Sequence, residues 1–204
     1  MEYYNLWFSI FEQLDFLSQQ SFIFICRNTK DNFYITDLYN IDNKYLNRLN
    51  NDILQNDIFQ FVTKLKANNK IINVSFMTNL KKLDAFGNCG IGQDGIRGLN
   101  LVELNAYCNG KITDVSFMTN LKILDAWGDC GIGQDSIHGL DLVELNARNN
   151  RKITDVSFMT NLKKLDAWGY CGINQDGIRG LNLVEINADY NSKIIIKSFN
   201  KNLK

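Results

Sequence analysis

The sequence predicts an α/β repeat solenoid, with a parallel β-sheet along one face and turns or short 3-10 segments along the other. Three observations predict it. The heptapeptide VSFMTNL occurs at residues 74–80, 115–121 and 156–162, and its phenylalanines Phe76, Phe117 and Phe158 are 41 residues apart (117 − 76 and 158 − 117). Fixed self-similarity of this length marks a repeat architecture. Each interval divides into two related units, one typified by LKKLDAFGNCGIGQDGIRGLN from Leu80 and one by LVELNAYCNGKITDVSFMTN from Leu101. These units open on L-x-x-L-x-A and carry Ile at their twelfth position, at Ile91, Ile112, Ile132, Ile153, Ile173 and Ile194.

Each opening L-x-x-L-x-A reads as a short strand whose Leu and Ala point inward, because side chains alternate across a strand. Neighbouring coils then pair their strands in parallel, roughly 4.8 Å apart. The return path needs a second apolar set. In one unit type Val115, Phe117 and Met118 supply it, and in the other Ile96 and Leu99. VSFMTNL is accordingly a half-turn whose Val, Phe and Met fill the core while Thr-Asn turns the chain into the next strand. Units this short leave little room for a full helix at about 1.5 Å per residue. No coil can bury its own apolar face, so stacking stabilises each one.

The pattern resembles the leucine-rich repeat from Val62 to the C-terminus, with Ala where the commonest form has a third Leu. A solenoid of this kind needs caps. Upstream, DNKYLNRLNNDILQNDIFQFVTKLK places Tyr45, Leu46, Leu49, Ile53, Ile58 and Phe61 near helical spacing, which predicts helix over the first coil. At the far end Lys197, Asn200 and Lys201 replace apolar positions and make a partial cap. The expected division is therefore 1–39, 40–61 as a helical linker and cap, and 62–204 as the solenoid.

In the first segment, Leu6, Trp7, Ile10, Phe11 and Leu14 lie on one helix face. Ser18 suits the N-cap of a second helix burying Phe22, Ile25 and Cys26, with Leu17 and Phe22 as a hydrophobic staple. Ile10-Phe11, Leu14, Phe22, Ile25 and Cys26-Arg27 resemble the F-box, though the chain contains no proline and lacks the usual Leu-Pro start. An F-box joined to leucine-rich repeats, with a bias to Asn, Ile and Lys, is similar to the F-box/leucine-rich-repeat proteins of giant DNA viruses. That resemblance implies a substrate adaptor of a Skp1–Cullin–F-box ubiquitin ligase. Leu6, Ile10, Phe11, Leu14, Phe22 and Ile25 would dock a Skp1-like linker protein, in the host cytoplasm or nucleus. The alternatives are that 1–40 is a helical cap alone, and that the chain is a stand-alone repeat protein that binds or scaffolds a host partner.

A partner would meet the side chains between the inward Leu and Ala. Position five of the units reads Asp84, Asn105, Asp125, Asn146, Asp166, Asn187, and position three reads Lys82, Glu103, Ile123, Glu144, Lys164, Glu185. Both ladders also make sense as a polar face compatible with itself, through cross-strand pairs contributing about 0.2–1 kcal/mol each. Position seven reads Phe86, Tyr107, Trp127, Arg148, Trp168, Asp189. Trp, Tyr and Arg dominate binding hot spots. The competing reading is internal: Arg148 stacks between Trp127 and Trp168, and Gly87, Gly128 and Gly169 make room for the rings.

Composition narrows the function classes. The chain has 204 residues, 45% hydrophobic, and a formal net charge of zero. Nucleic-acid or anionic-membrane binding needs a basic surplus, so neither partner is expected. No apolar run is long enough to span a bilayer. The acidic N-terminus lacks secretory-signal features, so an intracellular protein is expected. Of the five cysteines, Cys89, Cys130 and Cys171 are one position repeated two coils apart, too far for a disulfide at roughly 9–10 Å, and they read as small buried apolar residues. His138, the single histidine, occupies the place of Arg97 and Arg179 on the return path. GIGQDGI at 90–96 lacks the strand-then-long-helix setting of a phosphate loop. No catalytic constellation, metal or cofactor is expected.

Overall fold

A computed structural model of the chain describes residues 26–29, 32–41, 43–55 and 59–195. β1 (Cys26–Thr29) and β2 (Asn32–Ile35) form an antiparallel pair. After them comes one eight-stranded parallel sheet in which chain order equals spatial order: β3 (Asp37–Leu38), β4 (Lys64–Lys66), β5 (Lys82–Asp84), β6 (Glu103–Asn105), β7 (Ile123–Asp125), β8 (Glu144–Asn146), β9 (Lys164–Asp166) and β10 (Glu185–Asn187). The chain is thus a parallel β-solenoid of about six turns with few helical residues.

Register explains why the motif repeats. Leu38, Leu65, Leu83, Leu104, Leu124, Leu145, Leu165 and Ile186 stand opposite one another in a single column. The leucines of that column are almost completely buried. Burial of each contributes about 1.5–3 kcal/mol. Ala85, Ala106, Ala126, Ala147 and Ala167 form a second buried column two residues on. Their amides extend the ladder past the strands, as where Ala126 N donates to Asn146 O at 2.8 Å.

The return path differs from the expectation at one residue. Met77 N donates to Val74 O and Leu80 N to Met77 O, both at 2.9 Å, and 115–121 and 156–162 repeat this. Steps of three turn Val, Met and the following Leu inward, so Val74, Met77 and Leu80 are buried with their counterparts. Phe, two after Val, falls outside: Phe76 and Phe117 are exposed, and Phe158 is half-buried against the His138 ring at 5.2 Å. The other unit type turns through a 3-10 segment at Gln93–Ile96, a single helical turn at Gln134–Ile137 and a 3-10 segment at Asp176–Ile178. Ile96 and Leu99 are buried there, as the pattern predicts.

The N-terminal side needs two corrections. The helical reading of 1–39 fails at its end, because Cys26–Thr29 is a strand rather than the end of a second helix. The β-favouring run Phe33-Tyr34-Ile35 suits the second strand of this antiparallel pair. Asp37–Leu38 already pairs with β4, so the sheet starts ahead of Val62. Among the described residues between those strands lie two one-turn helices, α1 (Asn43–Leu46) and α2 (Asn51–Leu54), rather than one helix through 45–54. Asn50 caps α2 by accepting from Ile53 N at 2.9 Å, and Leu46, Leu54 and Phe59 bury the apolar side of this cap. The docking residues Leu6, Ile10, Phe11, Leu14, Phe22 and Ile25 lie outside the described residues, as do Lys197, Asn200 and Lys201 of the expected C-terminal cap.

Candidate functional site

Short strands in register put positions three and five of every coil on one face. There they line a groove of about 440 Å³ that runs across β6–β10, with Tyr39 at its N-terminal end. The structure thereby brings together Asp125 and Asp166 with Glu103, Glu144, Glu185, Ile123 and Lys164. Asp84 stands in register with Asn105 on the same face but is only 7% exposed.

Position three carries ion pairs between adjacent strands. Lys82 meets Glu103 at 2.5 Å and Lys164 meets Glu144 at 3.2 Å. Lys82 Nζ also lies 4.2 Å from the centre of the Tyr39 ring. Position five has a backbone role. The Oδ1 of Asn105, Asp125, Asn146 and Asp166 accepts the amide two residues on, for example Trp127 N at 3.0 Å and Trp168 N at 3.0 Å. Asn and Asp serve this turn equally, so either can stand at position five. The second Asp125 oxygen accepts from Asn146 Nδ2 at 3.0 Å, and that of Asp166 from Asn187 Nδ2 at 3.3 Å. Asp84 Oδ1 has no hydrogen-bond partner. Burial pushes the carboxyls of Asp84 and Asp125 above the usual range. The Phe86 amide, Lys66 and Lys82 oppose the shift at Asp84, and the Trp127 amide and Asn146 oppose it at Asp125.

The position-seven stripe is a continuous ladder along one side of the groove. Tyr107 stacks on Trp127 with ring centres 4.4 Å apart. The Arg148 guanidinium lies 5.1 Å from the Trp127 ring and 4.3 Å from the Trp168 ring, and Trp168 meets Tyr190 edge-on at 5.3 Å. The internal stack read from the sequence is therefore present, while Trp127, Trp168 and Arg148 remain half-buried rather than covered. After each stripe residue the chain turns through the left-handed region, at φ +73° for Gly128 and +69° for Gly169. A Cβ at Gly169 would sit 2.3 Å from Asn149 Oδ1, and one at Gly128 2.8 Å from Cys108 Sγ. These glycines serve both the turn and the close approach of neighbouring coils.

The stripe stops at Phe86 for a reason visible in the chain. The unit from Val62 runs directly from Ala67 to Asn68, whereas its counterpart places Tyr107 and Cys108 between Ala106 and Asn109. Among the described residues no ring stacks on Phe86 from that side, where Lys66 Nζ lies 5.9 Å from the ring centre. A cavity of about 390 Å³, lined by Phe86, Lys66, Asn68 and Cys89 among others, occupies the place.

The residues that lock the coils together are ones the hydrophobic pattern does not reveal. Asn109, Asn150 and Asn191 are buried and bond back to the preceding coil. Asn150 Nδ2 donates to Ala126 O at 2.9 Å and Ile132 O at 3.1 Å, while its Oδ1 accepts from Lys152 N at 2.9 Å. Asn68 does the same against the cap, donating to Leu49 O at 2.9 Å. On the return path Gln93 Oε1 accepts from Thr113 N and Asp114 N, and Gln134 Oε1 from Thr154 N and Asp155 N. The readable signal is a polar residue recurring between two inward apolar positions in LVELNAYCNGKI, LVELNARNNRKI and LVEINADYNSKI.

Cys89, Cys130 and Cys171 are buried free thiols beside these asparagines, as expected of small apolar residues. Burial raises all three pKa values, that of Cys130 to about 11. Cys108 is exposed, and so is His138 on the return path. No helix among the described residues is long and apolar enough to cross a membrane. No protein-family model, curated protein or solved structure matches the chain.

Proposed function

We propose that this chain is a protein-interaction module that holds a target protein on the sheet face, and that it acts as a substrate-recognition adaptor of a Skp1–Cullin–F-box ubiquitin ligase. The observation that carries the binding part is the groove and its side wall. A polar groove crossing five strands runs beside half-buried Trp127, Arg148 and Trp168, residue types that supply hot-spot energy. The repeat resembles the leucine-rich class, which supports reading this face as the contact surface. The adaptor part rests on the F-box-like residues Ile10-Phe11, Leu14, Phe22 and Ile25, and not on Cys26-Arg27, which lie in β1. In this mechanism the head binds a Skp1-like linker and the groove holds the target, while ubiquitin transfer is performed by the rest of the complex.

Two measurements test the two parts separately. Purified full-length chain is mixed with Skp1: complex formation supports the adaptor role, and no complex with a cooperatively melting chain removes it. A photoreactive benzoylphenylalanine at Trp127 or Trp168 reports on the groove. Crosslinks from these positions, and none from the same residue placed at the return-path position Arg97, are the expected result. The reverse pattern removes the groove from the interface.

A further inference from the structure

Charge on the groove face departs from the balance of the whole chain. The chain has equal numbers of acidic and basic residues. The groove lining holds Glu103, Asp125, Glu144, Asp166 and Glu185 against the single cation Lys164. Lys164 is engaged by Glu144, and Glu103 is engaged by Lys82. Among the described residues Asp125, Asp166 and Glu185 have no ion-pair partner. Asp84 lies on the same face outside the groove lining, 7% exposed and beside Lys66 and Lys82, so the unpaired negative charge belongs to the β7–β10 part of the face. An incoming cation offsets the desolvation that raises the Asp125 carboxyl, which lines the groove.

Spacing adds a second constraint. Acids at position five recur every other strand, Asp84, Asp125, Asp166, and acids at position three do the same, Glu103, Glu144, Glu185. Two strand spacings are about 9.6 Å. A polyproline II segment rises about 9.3 Å per turn of three residues and shows the same face at every turn. Such segments also dock against aromatic walls, which the Tyr107–Trp127–Arg148–Trp168 stripe provides here.

We propose that the groove binds an extended, polyproline II-like segment of a partner protein that carries Lys or Arg at every third residue, its cations seated between alternate carboxylates. This rests on reading the sheet face as the binding surface and names the chemistry of what it takes. Fluorescence anisotropy of labelled (Lys-Pro-Pro)4 against the full chain tests it. The comparison peptides are (Glu-Pro-Pro)4 and a peptide of the same composition with its four lysines contiguous. Asn already occupies position five at Asn105, Asn146 and Asn187, so Asp125→Asn with Asp166→Asn keeps the turn, and an unchanged melt verifies this. The expected result is binding of (Lys-Pro-Pro)4 weakened at least tenfold by the double variant, at least fivefold weaker binding of the contiguous peptide, and none of the acidic one. Equal affinity for the two basic peptides, or no effect of the double variant, overturns the proposal. Trp127 crosslinks to a partner through a segment without basic residues overturn it too, yet leave the interaction surface standing. The absence of both peptide binding and Trp127 crosslinks removes the surface as well.

Discussion

Asp84 and Asp125 show how a single carboxylate couples the fold to the groove. Both bind their proton more tightly in the folded chain than in the unfolded one, because burial disfavours the charge. Their contribution to stability is therefore whole below the ordinary carboxylate pKa and is lost as pH rises through that value toward the raised one. Replacing both by Asn removes this dependence. The melting temperature of Asp84→Asn/Asp125→Asn, relative to wild type, is expected to be higher at pH 7 than at pH 4. A relative stability that is flat or reversed between those pH values contradicts the assignment. That Asp and Asn alternate at position five is plain in the sequence; that their side chains cap the turn two residues on is not. The same pattern serves a recognition ladder equally well, and only the hydrogen bonds to Trp127 N and Trp168 N separate the two uses.

At the scale of an element, a coil is a three-residue strand and two turns, and every second coil adds one buried asparagine, Asn68, Asn109, Asn150 or Asn191. The strand is too short to hold its own register, so the lock lies in side chains such as Asn150, which reaches two carbonyls of the preceding coil and one amide of its own. Asn150→Ala leaves these buried groups unpaired and is expected to lower stability by about 2–4 kcal/mol, measured by urea unfolding. A loss under about 0.5 kcal/mol contradicts the locking role. Inward leucines and isoleucines were legible because burial imposes a period on them. Phe76 and Phe117 were misplaced because VSFMTNL is apolar at adjacent positions and its three-residue turns admit only Val, Met and Leu. The antiparallel pair β1–β2 was hidden because the apolar spacing of Phe22, Ile25 and Cys26 satisfies a helix too.

Across the whole molecule, two alternating kinds of coil share one continuous core, and each coil pairs its strand with those of its neighbours. Periodicity made this architecture readable from 62 onward, while β3 went unrecognised because Asp37–Leu38 is too short to carry a pattern. The groove follows from stacking rather than from any one motif: carboxylates 41 residues apart in sequence become neighbours along one face. The most direct test of the central claim is a methyl nuclear Overhauser map of the column leucines. Contacts are expected between successive members, Leu83 to Leu104, Leu104 to Leu124, Leu124 to Leu145 and Leu145 to Leu165, with all five shielded from a soluble paramagnetic agent. Contacts that skip this order, or leucine methyls open to the agent, contradict it.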